Sequence, residues 1–190
     1  MIFVDPTVYL AAAVVFFLLP LKWALAWFAA VIVHEGCHCL AVCLCGNRIQ
    51  SIHIGVGGMV IQTGVLQNWQ SAVCSLAGPL GGCLLLLAAG YYPAVAVCGL
   101  VHTVYNLLPI GSLDGARVLK SLTGMLFSQR TSYFLCNGIE NVVLFLILCI
   151  CLYSSFVIRL GLLPAVFGCC LLLRSRKIKI PCKLKNHRVQ

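Results

Sequence analysis

Long apolar stretches, interrupted by very few charged residues, constrain this chain more than any other feature of its sequence. Of its 190 residues, 62% are hydrophobic and 9% are charged, and the mean hydropathy is +1.04. Soluble domains carry about a quarter charged residues, whereas a helix that crosses a bilayer needs about 20 mostly apolar residues. The sequence therefore predicts an integral, multi-pass membrane protein.

Six apolar segments have lengths close to those of membrane-spanning helices. They lie at residues 7–20, 23–45, 69–89, 92–108, 132–153 and 157–173. The first could pass for a signal peptide, but no basic region precedes it and no small-residue cleavage site follows. We expect it to be retained. The predicted fold class is an all-α polytopic membrane protein with about six transmembrane helices, a membrane domain at 1–173 and a basic cytoplasmic tail at 174–190.

The basic residues predict the orientation of the chain. If the C-terminus is cytoplasmic, 11 of the 13 Lys and Arg residues lie on that side, and only Lys22 and Arg159 lie outside. Cytoplasmic loops carry such an excess, and an even number of spans puts the N-terminus in the cytoplasm too. We expect the tail to contact anionic lipid head groups; a protein partner stays open, and nucleic acid is not expected.

Residues 48–66 differ from the helical segments because β-branched residues alternate there with small or polar ones around "GVGG". This pattern predicts a β-hairpin. Backbone at membrane depth must have its hydrogen bonds satisfied, so the hairpin should be re-entrant, either buried in protein or lining a wet cavity.

The sequence "HEGCH" in the second apolar segment contains two histidines four residues apart and one of only four acidic residues. On a helix, His34 and His38 lie on the same face and could bind one Zn²⁺. Glu35 could then take a proton from a water molecule at the metal. Ionisable groups inside a span are costly and usually functional. The segment therefore predicts a catalytic metal site.

A catalytic zinc usually has three protein ligands and one open position. Among the other acidic residues, Asp5 is near the N-terminus and Glu140 lies on the fifth segment, so Asp114 in "NLLPIGSLDG" is the best candidate. Pro109 and Gly111 predict a break in the fourth helix. A broken helix could bring the carboxylate beside the two histidines.

Three motifs together, "HEGCH", "SLAGPLGG" at 75–82 and "NLLPIGSLDG" at 106–115, resemble the signatures of the site-2 protease family of intramembrane zinc metalloproteases. The compact form most resembles the stage IV sporulation protease subgroup. The resemblance implies one Zn²⁺ per chain, held by His34, His38 and Asp114, with Glu35 as general base. It also implies a bacterial cytoplasmic membrane as the location and regulated intramembrane proteolysis as the activity.

Asn106 matches the family asparagine that contacts the substrate backbone or the developing oxyanion, and an amide N–H suits that role. It could instead only satisfy the broken helix. The substrate would be a membrane-embedded protein, and a regulatory membrane protein is a further possible partner. Gly57, Gly58 and Val60 of the hairpin could bind an extended peptide as an added strand, or the hairpin could be purely structural.

A zinc transporter and an inactive membrane scaffold are the alternative functions. His53, His102 and Glu140 stay open between functional and structural roles. Most of the 13 cysteines lie in apolar runs, where cysteine packs as a small hydrophobic residue. Gly78 and Pro79 are expected to pack the third segment against the helix with the histidines.

Overall fold

The computed structural model describes residues 1–55, 58–159 and 161–178. Within these ranges the chain forms seven α-helices and three β-strands. The helices are α1 (Pro6–Leu18), α2 (Leu21–Leu44), α3 (Asn68–Leu84), α4 (Pro93–Asn106), α5 (Asp114–Leu126), α6 (Gln129–Phe156) and α7 (Leu163–Ile178). The strands are β1 (Ile2–Val4), β2 (Ile49–Gly55) and β3 (Gly58–Thr63). One turn of 3-10 helix, Leu85–Ala88, continues α3.

The helix boundaries follow from local chemistry. Asp5 caps α1, since its Oδ1 accepts hydrogen bonds from the backbone N–H of Thr7 at 2.9 Å and from the Thr7 hydroxyl at 2.6 Å. Proline is the first residue of α1 and of α4, where its missing N–H is not needed. Pro20 separates α1 from α2.

Each of the six predicted segments overlaps one helix, in chain order α1, α2, α3, α4, α6 and α7. Among the described residues, three helices are long and apolar enough to cross a membrane: Leu21–Leu44, Asn68–Ala88 and Gln129–Phe156. With 13 residues in α1 and 14 in α4, these helices are about 20 Å long at 1.5 Å per residue, against a hydrocarbon core of about 30 Å. The count of six spans stays a prediction.

The predicted hairpin is present. Strands β2 and β3 pair antiparallel, from Ile49 opposite Thr63 to Gly55 opposite Gly58. Strand β1 adds to β2 in parallel, giving the order β1-β2-β3, and was not predicted. Gly57, one of the residues proposed to bind substrate, lies outside the described residues. The depth of the hairpin in a bilayer also stays a prediction.

Glycines let α3 approach two other helices closely. A methyl group on Gly81 would collide with the Sγ of Cys37 on α2, and one on Gly82 would collide with the Oγ1 of Thr103 on α4. Thr103 donates a hydrogen bond of 3.2 Å to the carbonyl of Pro79. Such close packing in a bilayer requires small residues, so the segment "AGPLGG" allows α3 to pack against both α2 and α4.

We expect Gly82→Ala to lower the thermal stability of the detergent-purified protein, because the added methyl group has no space beside Thr103. Overpacking typically costs about 1–3 kcal/mol. Gly138→Ala is the matched control, since a methyl group at that position of α6 has no atom within 4 Å apart from its chain neighbours and the nearby backbone of its own helix; alanine should there be neutral or stabilising. Equal melting temperatures for the two variants would contradict the packing described for α3 and α4.

Candidate metal centre

Helix α2 carries His34 and His38 four residues apart, one turn from each other on the same face. Both are buried, with exposed fractions of 1% and 8%. Their Nε2 atoms are 3.2 Å apart and their rings are nearly perpendicular, at 82°. The two imidazoles therefore present their Nε2 atoms to one common point.

Asp114, the first residue of α5, reaches the same point. Its Oδ2 lies 3.0 Å from the Nε2 of His34 and 3.1 Å from the Nε2 of His38. The chain reaches this position through a turn after α4, in which Gly111 adopts a φ of +58°. Gly115 is needed as well, because a methyl group there would collide with the backbone carbonyl of Leu107. The break predicted between Asn106 and Asp114 thus delivers the carboxylate.

A hydrogen bond from α3 orients one of the histidines. The Nδ1 of His38 lies 2.7 Å from the carbonyl oxygen of Cys74. Since a carbonyl only accepts, the Nδ1 carries a proton, and in the neutral ring the lone pair is then on Nε2, the atom that a metal ion would bind. This is the arrangement that metal-binding histidines usually have.

The three side chains fit a zinc ion. Among the described residues, they form the one group of three potential ligands whose ligand atoms converge. Zinc ligands at about 2.1 Å in a tetrahedron are about 3.4 Å apart, and the three distances here are 3.0, 3.1 and 3.2 Å. Gly78 of α3 faces the group, and a methyl group on it would lie 2.7 Å from the Nε2 of His34 and still nearer that of His38. The glycine leaves the space that an ion needs.

The cluster opens into a cavity of about 1220 Å³. Its walls come from α2, β3, α3, α5 and α6 and the turn after α4. Glu35 and Asn106 line it together with the three potential ligands, and so do Gly58 and Val60 of β3. Met59 of β3 lines the same cavity as Glu35. A carboxylate, an amide and a potential metal site therefore share one cavity with an edge strand.

The sequence matches the Peptidase M50B-like family over residues 7–156. The chain belongs to this family. It is 31% identical over 121 residues to a Synechocystis sp. (strain ATCC 27184 / PCC 6803 / Kazusa) protein named as a candidate zinc metalloprotease, covering 55% of this chain and 32% of that protein. The chain thus spans about a third of that relative's length. A site-2 protease structure from Methanocaldococcus jannaschii superposes with a TM-score of 0.66, at 17% identity, over 99% of this chain and 94% of that one.

These comparisons confirm the predicted resemblance to the site-2 protease family and its fold. They do not test the assignment to the stage IV sporulation protease subgroup, which stays a prediction.

Not every residue that the sequence singled out in this M50B-like chain joins the cluster. Asn106 lines the cavity, and its Nδ2 donates to the carbonyl of His102, 3.1 Å away on its own helix. His53 stacks on Phe3 with ring centroids 4.8 Å apart, on the sheet rather than at the cluster. No described cysteine belongs to the ligand group, although the Sγ atoms of Cys45 and Cys74 are 4.0 Å apart.

Glu140 has a structural task that the sequence did not reveal. Its Oε1 accepts a hydrogen bond of 3.0 Å from the backbone N–H of Gly111 and one of 2.5 Å from the Ser175 hydroxyl. It thereby ties α6 and α7 to the turn that carries Asp114. The fold also brings His102 of α4 against the ring of His34, with centroids 4.6 Å apart. Sequence spacing within α4 showed only that His102 shares a face with Asn106.

We expect Gly78→Ala to abolish zinc binding by the purified protein, because the methyl group would occupy the space between the two histidine nitrogens. The measurement is zinc content per chain after dialysis against a zinc buffer. Gly36→Ala is the matched control. Gly36 lies between the motif residues on α2, and a methyl group there has no atom within 4 Å apart from its chain neighbours and the nearby backbone of its own helix. A Gly78→Ala protein that folds and retains stoichiometric zinc would contradict the described site.

Proposed function

We propose that this chain is an intramembrane zinc metalloprotease that hydrolyses a peptide bond in or near a transmembrane segment of a membrane-associated protein. The observation that carries the proposal is the position of Glu35, next to two buried histidines and a buried aspartate, at the wall of a cavity on an apolar helix. Membership of the M50B-like family supports it.

His34, His38 and Asp114 would hold one Zn²⁺ in the wall of the cavity that Glu35 and Asn106 also line. When bound there, zinc supplies a Lewis acid that polarises the scissile carbonyl and lowers the pKa of water beside it. The histidines bind as neutral imidazoles, and the Cys74 carbonyl keeps the proton of His38 on Nδ1.

Glu35 would act as the general base. It follows His34 directly in the chain and lines the same cavity, so its carboxylate can take a proton from the attacking water. It then gives this proton to the nitrogen of the leaving amine, since the same carboxyl group serves as base and then as acid. Without this transfer the amine would leave as an unstable anion.

Asn106 would stabilise the developing oxyanion. Its side-chain amide has two N–H groups, and the bond to the His102 carbonyl uses one. The other is available for an oxygen in the cavity. Donors aimed at the developing charge in a site that excludes water contribute strongly to catalysis.

Strand β3 would hold the substrate. A transmembrane helix has its amides locked in hydrogen bonds, so the segment to be cut must first unwind. In the sheet order β1-β2-β3, β3 is an edge strand, and Gly58 and Val60 face the cavity. An unwound peptide could pair with this edge, which would bring its carbonyls near Glu35 while satisfying its backbone.

The proposed location is a bacterial cytoplasmic membrane with both termini in the cytoplasm, as the distribution of Lys and Arg predicts. The proposed partners are the membrane-embedded substrate, the bilayer and a regulatory membrane protein. Such a protease would act in regulated intramembrane proteolysis. The division into a membrane domain at 1–173 and a tail at 174–190 stays a prediction; α7 crosses this boundary to Ile178, and residues 179–190 lie outside the described residues.

We expect Glu35→Gln to lower cleavage of single-span model substrates by at least about 100-fold, the usual contribution of a general base, while zinc content is unchanged. The assay is co-reconstitution in liposomes with detection of the cleaved fragment. Asp5→Asn is the matched control, because Asp5 is not in the group of potential ligands and does not line the cavity of Glu35, and asparagine still caps a helix.

Zinc flux into the liposomes that persists in Glu35→Gln, without cleavage by wild type, would favour the transporter. Wild-type protein that neither cleaves nor binds zinc would favour the scaffold.

We expect Val60→Lys to raise KM for model substrates by about tenfold, a loss of about 1.4 kcal/mol in binding, with little change in kcat. A lysine on the cavity side of β3 would interfere with an added strand. Val65→Lys is the matched control, since Val65 is 98% exposed and does not line the cavity. Unchanged kinetics in Val60→Lys would contradict substrate binding by the hairpin. It would not contradict the proposed metal site.

A further inference from the structure

We propose that His102 positions His34 for metal binding by accepting the hydrogen bond of its Nδ1–H. The inference rests on the proposed zinc site and adds to it a residue outside the ligand set. His102 is not a ligand, because it is not among the residues whose ligand atoms converge. Its effect on the metal is therefore exerted through His34.

The two metal-binding histidines differ in their outer contacts. The Nδ1 of His38 is paired with the Cys74 carbonyl. The Nδ1 of His34 is buried and has no hydrogen-bond partner among the described residues, and the same holds for the Nε2 of His102. The rings of His34 and His102 pack edge to face, with centroids 4.6 Å apart and planes at 88°.

The chemistry of the two rings is complementary. If His34 binds metal through Nε2, its proton must be on Nδ1, which is then a donor. A neutral His102 that carries its proton on Nδ1 has an acceptor at Nε2. The two rings are neighbours, with centroids 4.6 Å apart, and each has one buried nitrogen without a partner among the described residues, so we infer that these two nitrogens pair when His34 holds the metal. Buried polar atoms usually find such partners, and metal-binding histidines almost always donate their second N–H.

The position of His102 also explains how α4, which supplies no ligand, contributes to the metal site. Helix α4 packs against α3 through Gly82 and Thr103, and Thr103 is the next residue after His102. The contact that fixes α4 in the bundle thus also fixes the distance of His102 from His34.

The test is zinc affinity of the full-length protein in detergent, measured by competition with a chelator. His102→Leu should weaken zinc binding by about 10- to 100-fold, as loss of an outer partner usually does. His102→Gln should recover most of this affinity, because its Oε1 can accept the same hydrogen bond. His53→Leu is the matched control, since His53 stacks on Phe3 away from the cluster; its zinc affinity should equal that of wild type.

Two further readouts separate positioning from general damage to the fold. The visible absorption spectrum of the Co²⁺-substituted protein should change in His102→Leu and revert in His102→Gln, because it reports ligand geometry. The melting temperature of each metal-free variant shows whether the fold is retained.

Wild-type affinity and an unchanged cobalt spectrum in His102→Leu would overturn the inference while the zinc protease proposal stands. If His102→Leu does not fold, a folded His102→Gln protein that binds zinc about 10- to 100-fold more weakly than wild type would overturn it. If wild-type protein binds no zinc, both proposals fail.

Discussion

Two imidazoles and a carboxylate meet at one buried point between apolar helices, and the rest of the structure can be understood from that constraint. An unpaired carboxylate in such surroundings would be strongly destabilising. Here the Oδ2 of Asp114 lies within 3.1 Å of the Nε2 atoms of both histidines, so a protonated imidazole or a metal ion held by the three groups would balance its charge. To reach the two histidines, the chain must interrupt its helical course between α4 and α5, since a straight helix would place Asp114 elsewhere. The break at Pro109 and Gly111 is therefore a condition of the site.

Helix α3 makes the site possible without contributing a ligand. Its Cys74 carbonyl orients His38, and one turn later Gly78 leaves room where any side chain would meet the histidine nitrogens. Gly81 and Gly82, a further turn on, set its distance from α2 and α4. A larger residue at these positions would push the helix away and take the Cys74 carbonyl with it. The segment "CSLAGPLGG" thus both orients His38 and allows the helices to pack closely.

The sequence predicted the parts of the site that depend on short-range chemistry. His34, Glu35 and His38 are one helical turn, and Asp114 follows glycine and proline in a recognisable break, so they could be found without the fold. The hairpin was equally visible from "GVGG". Strand β1 was missed because three apolar residues before Pro6 resemble the start of the following helix. The contacts of His102 with His34 and of Glu140 with Gly111 join residues that are distant in sequence. No local pattern encodes them.

The chain has only four acidic residues, and each of them has a distinct position in the structure. Asp5 caps α1, Asp114 meets the histidines, Glu35 lines the cavity and Glu140 holds the turn at Gly111. The bond from Glu140 has a mechanical consequence, because the same carboxylate oxygen also accepts from Ser175 on α7. A substrate that displaced α6 to enter the cavity would either break the bond to Gly111 or move the turn that carries Asp114. For the proposed protease, entry past β3 would not require α6 to move, and on this ground we favour β3 as the route to Glu35.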